Sequence, residues 1–393
     1  MALFLNDLGM VSAIGNTKAD TSRRLLLGDR SGLAESQQFR LAKPAIVGEV
    51  NADLPCVDPR FAAYDCRNNQ LLLAALAQIQ ASVDTIISRF GPNRVGVVIG
   101  TSTSGVRNTE LALATQAKTG ALPNNFHFKQ QQLGAGADFL ADYLGLKAPA
   151  YTVSTACSSS ARAIASARRL LTLDICDAVI VGGADSLCRF TLHGFAALES
   201  IAEGWCKPFG QHRDGINISE AAALFVLSKV EGPVRLSGIG ASSDAYHFSA
   251  PSPDGQTVVK AMQQALQDAQ KTPNDIDYIN LHGTATRLND AMESRSVAQV
   301  FAESVAVSST KGMTGHALGA SAALEMGICW LLLTDNDTNG SLPPNINDDV
   351  LDPEFPPLNF VQLGQSLGRP VSTCLSNSFA FGGNNISIVL ERS

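Results

Sequence analysis

An α/β protein built from two related halves is the fold class that this 393-residue sequence predicts. Three observations carry it. Strand-like apolar runs alternate with helix-like segments along the chain, the pattern of strands and helices packed in layers. Hydrophobic residues make up 45% and charged residues 17%, with 33 glycines dispersed rather than repeated, a composition that supports a large core and excludes disorder. Two distant stretches also repeat one design: RVGVVIGTSTSG at 94–105 and DYINLHGTATR at 277–287 each end an apolar strand in Gly-Thr-small-Thr.

The elements follow in order. MALFLNDLGMVSAIG is apolar but broken by Asn6 and Asp7 and has no basic leader, so it reads as a first strand and not as a signal peptide. Further strands are predicted at 94–100, 148–154, 178–183, 223–228, 276–283 and 384–390, with helices between them. MGICWLLLT at 326–334 falls far short of the roughly 20 residues that a membrane span needs, and is expected to be a buried helix. The repeat has a second part: VSTACSSSARAIASA at 153–167 and VSSTKGMTGHALGASAA at 307–323 both pass from a strand end, through a reactive side chain, into a helix of small residues. Gly100 to Cys157 spans 57 residues and Gly283 to His316 spans 33, so the first half carries an insertion. The boundary falls near Glu231 to Pro233, giving halves of 1–231 and 232–393.

Charge and cysteine usage narrow the function. A net charge of −7 argues against a general nucleic-acid binder, which needs a basic surface to displace counterions. The eight cysteines form no CxxC pair and no tight Cys/His spacing, so no metal site is expected and a reduced, cytoplasmic protein fits best.

Cys157 lies between a strand and a small-residue helix. A helix N-terminus there would favour the thiolate through unpaired N–H groups and aligned peptide dipoles. A buried thiol at a strand–helix corner fits the same context, as it does the other seven cysteines. The histidines shift the balance. His282 ends an apolar strand and His316 sits in a Gly-rich turn, at matching strand–helix edges, where imidazoles can serve a reacting thioester. His127, His193, His212 and His247 have weaker context.

VSAIG, VSTACSS, KPFGQHRDG, DAYHFSAPSPDG, HGTATRLND, STKGMTGHALGASAALE and NSFAFGGNN occur in that order across nearly the whole chain. With these motifs the sequence resembles the β-ketoacyl-acyl carrier protein synthases, the Cys-His-His condensing enzymes of the thiolase superfamily. The resemblance implies a dimeric, thiolase-like five-layer αβαβα fold and a decarboxylative Claisen condensation. Cys157 would take an acyl group from a carrier thioester, and malonyl-carrier would then decarboxylate and attack it. His282 and His316 would stabilise the enolate, and the backbone N–H groups of Cys157 and Phe381 would form the oxyanion hole. Lys311 with its acidic partner Glu325 would order the site, Asp290 and Glu293 would be supporting charges, and Thr284, Thr286 and Ser249 would hold pantetheine. No cofactor of its own is implied, because 4'-phosphopantetheine arrives on the acyl carrier protein. Residues 106–150 would help build the dimer face and the acyl pocket, and Arg67 is a candidate basic contact for the acidic carrier.

Some positions depart from the family pattern. The gate motif has Ala380 for a usual glycine and Asn384 for a usual threonine, which predicts a loop with fewer accessible states. GTSTSG at 100–105 replaces a glycine-richer segment, so Thr103 is expected to line the acyl pocket and to suit an unsaturated or aryl-capped chain. ISEAAA at 218–223 and a short ESIAEGWCKPF loop at 199–209 complete a resemblance to accessory-pathway enzymes such as those of aryl-polyene synthesis. Two alternatives share the fold. A degradative thiolase needs a C-terminal Cys-x-Gly, where this chain has Phe381-Gly382-Gly383 and Cys374 several residues too early. A chain-length factor has lost its nucleophile, whereas this chain keeps Cys157, so that it would form either a homodimer or a heterodimer in which it is the active partner.

Overall fold

Runs of buried, largely β-branched and aliphatic residues make the strands, and where two such strands lie parallel the chain must cross over through a helix. The computed structural model describes residues 2–39, 41, 44–347 and 350–393. The strands are β1 (Phe4–Ser12), β2 (Leu33–Glu35), β3 (Ile46–Gly48), β4 (Val95–Gly100), β5 (Ala150–Val153), β6 (Ala178–Asp185) and β7 (Ala221–Ser228). They continue with β8 (Val234–Ser243), β9 (Tyr278–Asn280), β10 (Ala306–Ser308), β11 (Asn359–Phe360), β12 (Thr373–Ala380) and β13 (Asn384–Arg392). The helices are α1 (Lys18–Leu26), α2 (Arg67–Phe90), α3 (Val106–Thr119), α4 (Ala135–Leu144) and α5 (Ser159–Thr172). After them come α6 (Arg189–Ala197), α7 (Gln256–Ala269), α8 (Arg287–Phe301), α9 (Lys311–Thr314) and α10 (Ser321–Thr334).

One strand order occurs twice. β5-β4-β6-β7-β1 in the first sheet is matched by β10-β9-β12-β13-β8 in the second, with β11 added outside β10. In each, the penultimate strand, β7 or β13, runs antiparallel to both neighbours, and the other pairs are parallel. The sheets join edge to edge where Phe4 and Leu5 pair with Arg235 and Val234. The β4–β5 connection holds α3, a 3-10 turn at Phe128–Gln131 and α4, whereas the corresponding β9–β10 connection holds only α8.

The helices complete five layers. α2 and α4 cover the outer face of the first sheet, α5 and α10 lie between the sheets, and α7 with α8 covers the second. One apolar cluster joins the facing sides of both sheets through Ile164, Leu171, Met326 and Trp330, and separate clusters fill the two outer interfaces. α2 is long and apolar enough to cross a membrane, yet its Leu71, Leu72, Leu76 and Val83 pack against the sheet. α10 contains the predicted buried segment, and from Ser321 to Leu331 every residue is buried.

Two consequences place the chemistry. α5 and α10 are the equivalent crossover helices of the repeat, so Cys157 before α5 and His316 before α10 reach the same middle layer from opposite halves. The strand predicted at 276–283 is shorter than expected: β9 ends at Asn280, because the N–H groups of His282 and Gly283 turn to the Glu293 carboxylate at 2.8 and 2.7 Å instead of a neighbouring strand.

Candidate active site

Cys157 stands two residues before α5, on a corner whose Ala156 has a φ of 52°. A non-glycine residue held there is strained, and its neighbours over-determine it. Ser159 Oγ accepts from the Thr155 N–H at 2.9 Å and donates to the Ala156 carbonyl at 2.5 Å. Gly100 lets β4 come close beneath this corner, since a Cβ there would lie 2.3 Å from the Ser160 nitrogen.

The sulfur is buried, and its environment corrects the expectation of a thiolate at rest. Burial pushes the Cys157 thiol up to about 11, against the opposing pulls of the Lys311 charge and the Phe381 N–H directed at the sulfur. Desolvation outweighs the helix terminus because the thiol has left almost all of its water.

Both imidazoles converge on it. His316 Nε2 lies 3.1 Å from Cys157 Sγ, and His316 Nδ1 lies 2.8 Å from Ser321 Oγ. His282 stands edge-on to His316, with ring centroids 5.7 Å apart, and its Nδ1 is buried without a partner. Burial first, and then the charge of Lys311, hold both imidazoles well below the usual histidine range, so both are neutral N–H donors at neutral pH.

Buried charges hold this arrangement in place. Lys311 Nζ donates to the His282 carbonyl at 2.6 Å and forms an ion pair with Glu325, both side chains being at most 2% exposed. Glu293 receives the backbone of the His282 turn, and Asp290 receives the Phe209 and Ala285 N–H groups at 2.8 and 3.2 Å. Burial raises Glu293 and Glu325 to about 7 and Asp290 to about 6. The reactive atoms of Cys157, His282 and His316 lie within 4.8 Å of one another, a donor set that by type would accept a soft metal ion. The neighbouring Lys311 ammonium opposes a cation there.

These groups open into a cavity of about 400 Å³. Cys157, His282 and His316 reach its inner end, while Thr284, Thr286 and Ser249 also line it, Thr284 and Thr286 sharing a 2.9 Å hydrogen bond. Phe195 and Phe381 supply an aromatic wall, with centroids 5.5 Å apart. Ala380 has φ −96° and ψ 157°, an extended conformation open to any residue, so the alanine costs the backbone nothing in this state.

Two expectations are corrected. Thr103 does not line the cavity: its hydroxyl lies 2.8 Å from Asp185 Oδ1 and accepts from the Ser186 N–H, so it offers no free polar wall. Arg67 is no open carrier contact, because its guanidinium forks onto the buried Glu220 carboxylate.

Asp185 is a site-building residue that the motif reading passed over. It accepts from Thr101, Ser102 and Thr103 in the first half and from the Gly319 N–H at 2.6 Å in the second. Residues 217–219 do the same on the other side of His316, whose N–H donates to the Asn217 carbonyl at 2.7 Å and whose carbonyl accepts from Ser219 at 3.0 Å. The His316 turn is therefore held by first-half residues on both flanks. An acid ending the apolar run AVIVGGAD was the signal available for Asp185.

Comparison with known proteins agrees with this geometry. Residues 8–232 match the family description "Beta-ketoacyl synthase, N-terminal domain" and residues 234–348 match "Beta-ketoacyl synthase, C-terminal domain". The 3-oxoacyl-[acyl-carrier-protein] synthase 2 of Coxiella burnetii is 30% identical, over 99% of this chain and 98% of its own. Nodulation protein E of Rhizobium meliloti is 32% identical over 76% of each chain. Among solved structures, a ketosynthase of Xenorhabdus doucetiae in complex with its chain length factor superposes with a TM-score of 0.95 at 42% identity, covering 100% of this chain and 98% of that one.

Proposed function

The chain belongs to the β-ketoacyl synthase family, and we infer from its own side chains how it carries out condensation on carrier-bound thioesters. The Cys157 sulfur attacks the acyl thioester, the former carbonyl oxygen takes the negative charge beside the Phe381 and Cys157 N–H groups, and the pantetheine thiol leaves with the proton. Malonyl-carrier then enters. Its C–CO₂ bond breaks, and the electron pair passes to an enolate whose oxygen lies between the His282 and His316 N–H groups. The enolate carbon attacks the acyl carbonyl on Cys157, a C–C bond forms and Cys157 leaves as the thiolate, which takes up a proton from solvent to restore the resting thiol. Preorganised donors of this kind typically contribute about 100-fold to 1000-fold each. The observation that carries the reading is the convergence of one buried thiol and two neutral imidazoles at the inner end of one cavity.

The halves 1–231 and 232–393 act as one catalytic unit that uses no cofactor of its own, the pantetheine arm of an acyl carrier protein passing Thr284, Thr286 and Ser249. All eight cysteines are free, which suits a reduced cytoplasmic setting. The aromatic wall of Phe195 and Phe381 favours an unsaturated or aryl-capped chain. The similarity to a ketosynthase solved with its chain length factor supports a heterodimer, and the aromatic wall supports an accessory pathway. Exposed Leu111 and Leu113 on α3, at 56% and 54%, with Phe128 at 63%, supply an apolar face for that partner.

Incubation with saturated, unsaturated and aryl-capped acyl-carrier thioesters, read by intact and peptide mass spectrometry, tests the reading. Acylation confined to Cys157, strongest with the unsaturated or aryl donors, is the expected result. Acylation elsewhere would remove the nucleophile assignment, and preference for long saturated chains would remove the pathway.

A further inference from the structure

His316 is neutral and has two ring nitrogens but one proton to place. Nε2 faces the Cys157 sulfur at 3.1 Å and Nδ1 faces Ser321 Oγ at 2.8 Å, with His316 and Ser321 both 2% exposed. Ser321 is the first residue of α10, and His316 is the only hydrogen-bond partner of its hydroxyl among the described residues.

Two proton arrangements fit these distances. If Nδ1–H donated to Ser321, the hydroxyl proton would be left buried with no acceptor. If the hydroxyl donates to Nδ1, that proton is used and only a lone pair of the oxygen stays bare. An orphaned buried donor is the costlier and rarer defect. At the other end the same tautomer turns an N–H onto the Cys157 sulfur, and the thiol's own proton, a weak donor, loses little by lacking an acceptor.

We infer that Ser321 is a positioning residue that holds His316 in the Nε2–H tautomer and so aims a donor, not an acceptor, into the cavity. His316 then meets the developing enolate as a donor and does not serve as the first base for the Cys157 thiol. This consequence rests on the condensing reaction; the tautomer itself is a property of the resting protein.

Nitrogen-15 NMR of the histidine-labelled full chain tests the tautomer directly, with His316 assigned by its loss in His316→Gln. The expected spectrum has His316 protonated at Nε2 and a hydrogen-bonded, unprotonated Nδ1 whose shift moves in Ser321→Ala. Decarboxylation of malonyl-carrier should slow roughly tenfold in Ser321→Ala, the size of one modest hydrogen bond, and recover in Ser321→Thr. A protonated Nδ1 in the wild type, or wild-type decarboxylation in Ser321→Ala, overturns the inference. Absence of decarboxylation in the wild type would count against the condensing reaction, and the spectrum would still decide the tautomer.

Discussion

Lys311→Met removes the ammonium that joins the His282 turn to α10, and its cost should depend on pH. In the wild type, Lys311 donates to the His282 carbonyl at 2.6 Å and pairs with Glu325, whose carboxyl burial has raised to about 7. Without the ammonium, Glu325 has no counter-charge and its pKa rises further. A carboxyl whose folded pKa exceeds its unfolded value of 4.5 contributes stability that is complete below 4.5 and is lost as pH climbs through the folded pKa. That loss ends near pH 7 in the wild type and continues above it in the variant. At pH 6 the variant should therefore lose only the hydrogen bonds of Lys311, about 1–2 kcal/mol. Each unit above 7 adds up to ~1.4 kcal/mol, bringing the loss to about 3 kcal/mol at pH 8, the lower end of what a broken buried ion pair costs. Urea unfolding of both proteins at pH 6 and pH 8, with unchanged m-values, measures the difference. The same loss at both pH values would mean that Glu325 keeps its charge without Lys311, and the reasoning would fail.

Other perturbations address single groups. With the Cys157 thiol near 11, its alkylation by iodoacetamide should climb about tenfold per pH unit from 7 to 10, and a plateau by pH 8 would contradict the dominance of burial. Cys157→Ala should abolish acylation yet leave malonyl decarboxylation within about tenfold of wild type, because both imidazole donors remain; joint loss would make the sulfur part of the decarboxylation site. Thr286→Val should raise KM for acyl-carrier roughly fivefold with little change in kcat, about one hydrogen bond to the pantetheine arm; an unchanged KM removes it from that role. Ala380→Gly should speed hydrogen exchange at residues 380–383, since glycine opens conformations closed to alanine, and identical exchange would show that the gate does not sense this position.

Several features were legible because they are local. A fully buried strand must be apolar along most of its length, so β4, β6 and β7 stand out as runs, and the repeated strand-end motifs announced the duplication that the two matching sheet orders display. Cys157, His282 and His316 were legible for the same reason, each being embedded in a short pattern of small residues that positions a backbone turn.

What escaped was set by partners remote in sequence. Thr103 looked like a pocket wall until Asp185, 82 residues on, took its hydroxyl, and Arg67 looked like a surface cation until Glu220, 153 residues on, neutralised it. The state of the Cys157 thiol was hidden too, because a helix terminus is visible in a motif but the exclusion of water by two docked halves is not. The sequence by itself therefore determined which elements form and which side chains can react. Only the tertiary structure decided their protonation and their partners, because desolvation and hydrogen bonding depend on everything packed around a group and not on its neighbours along the chain.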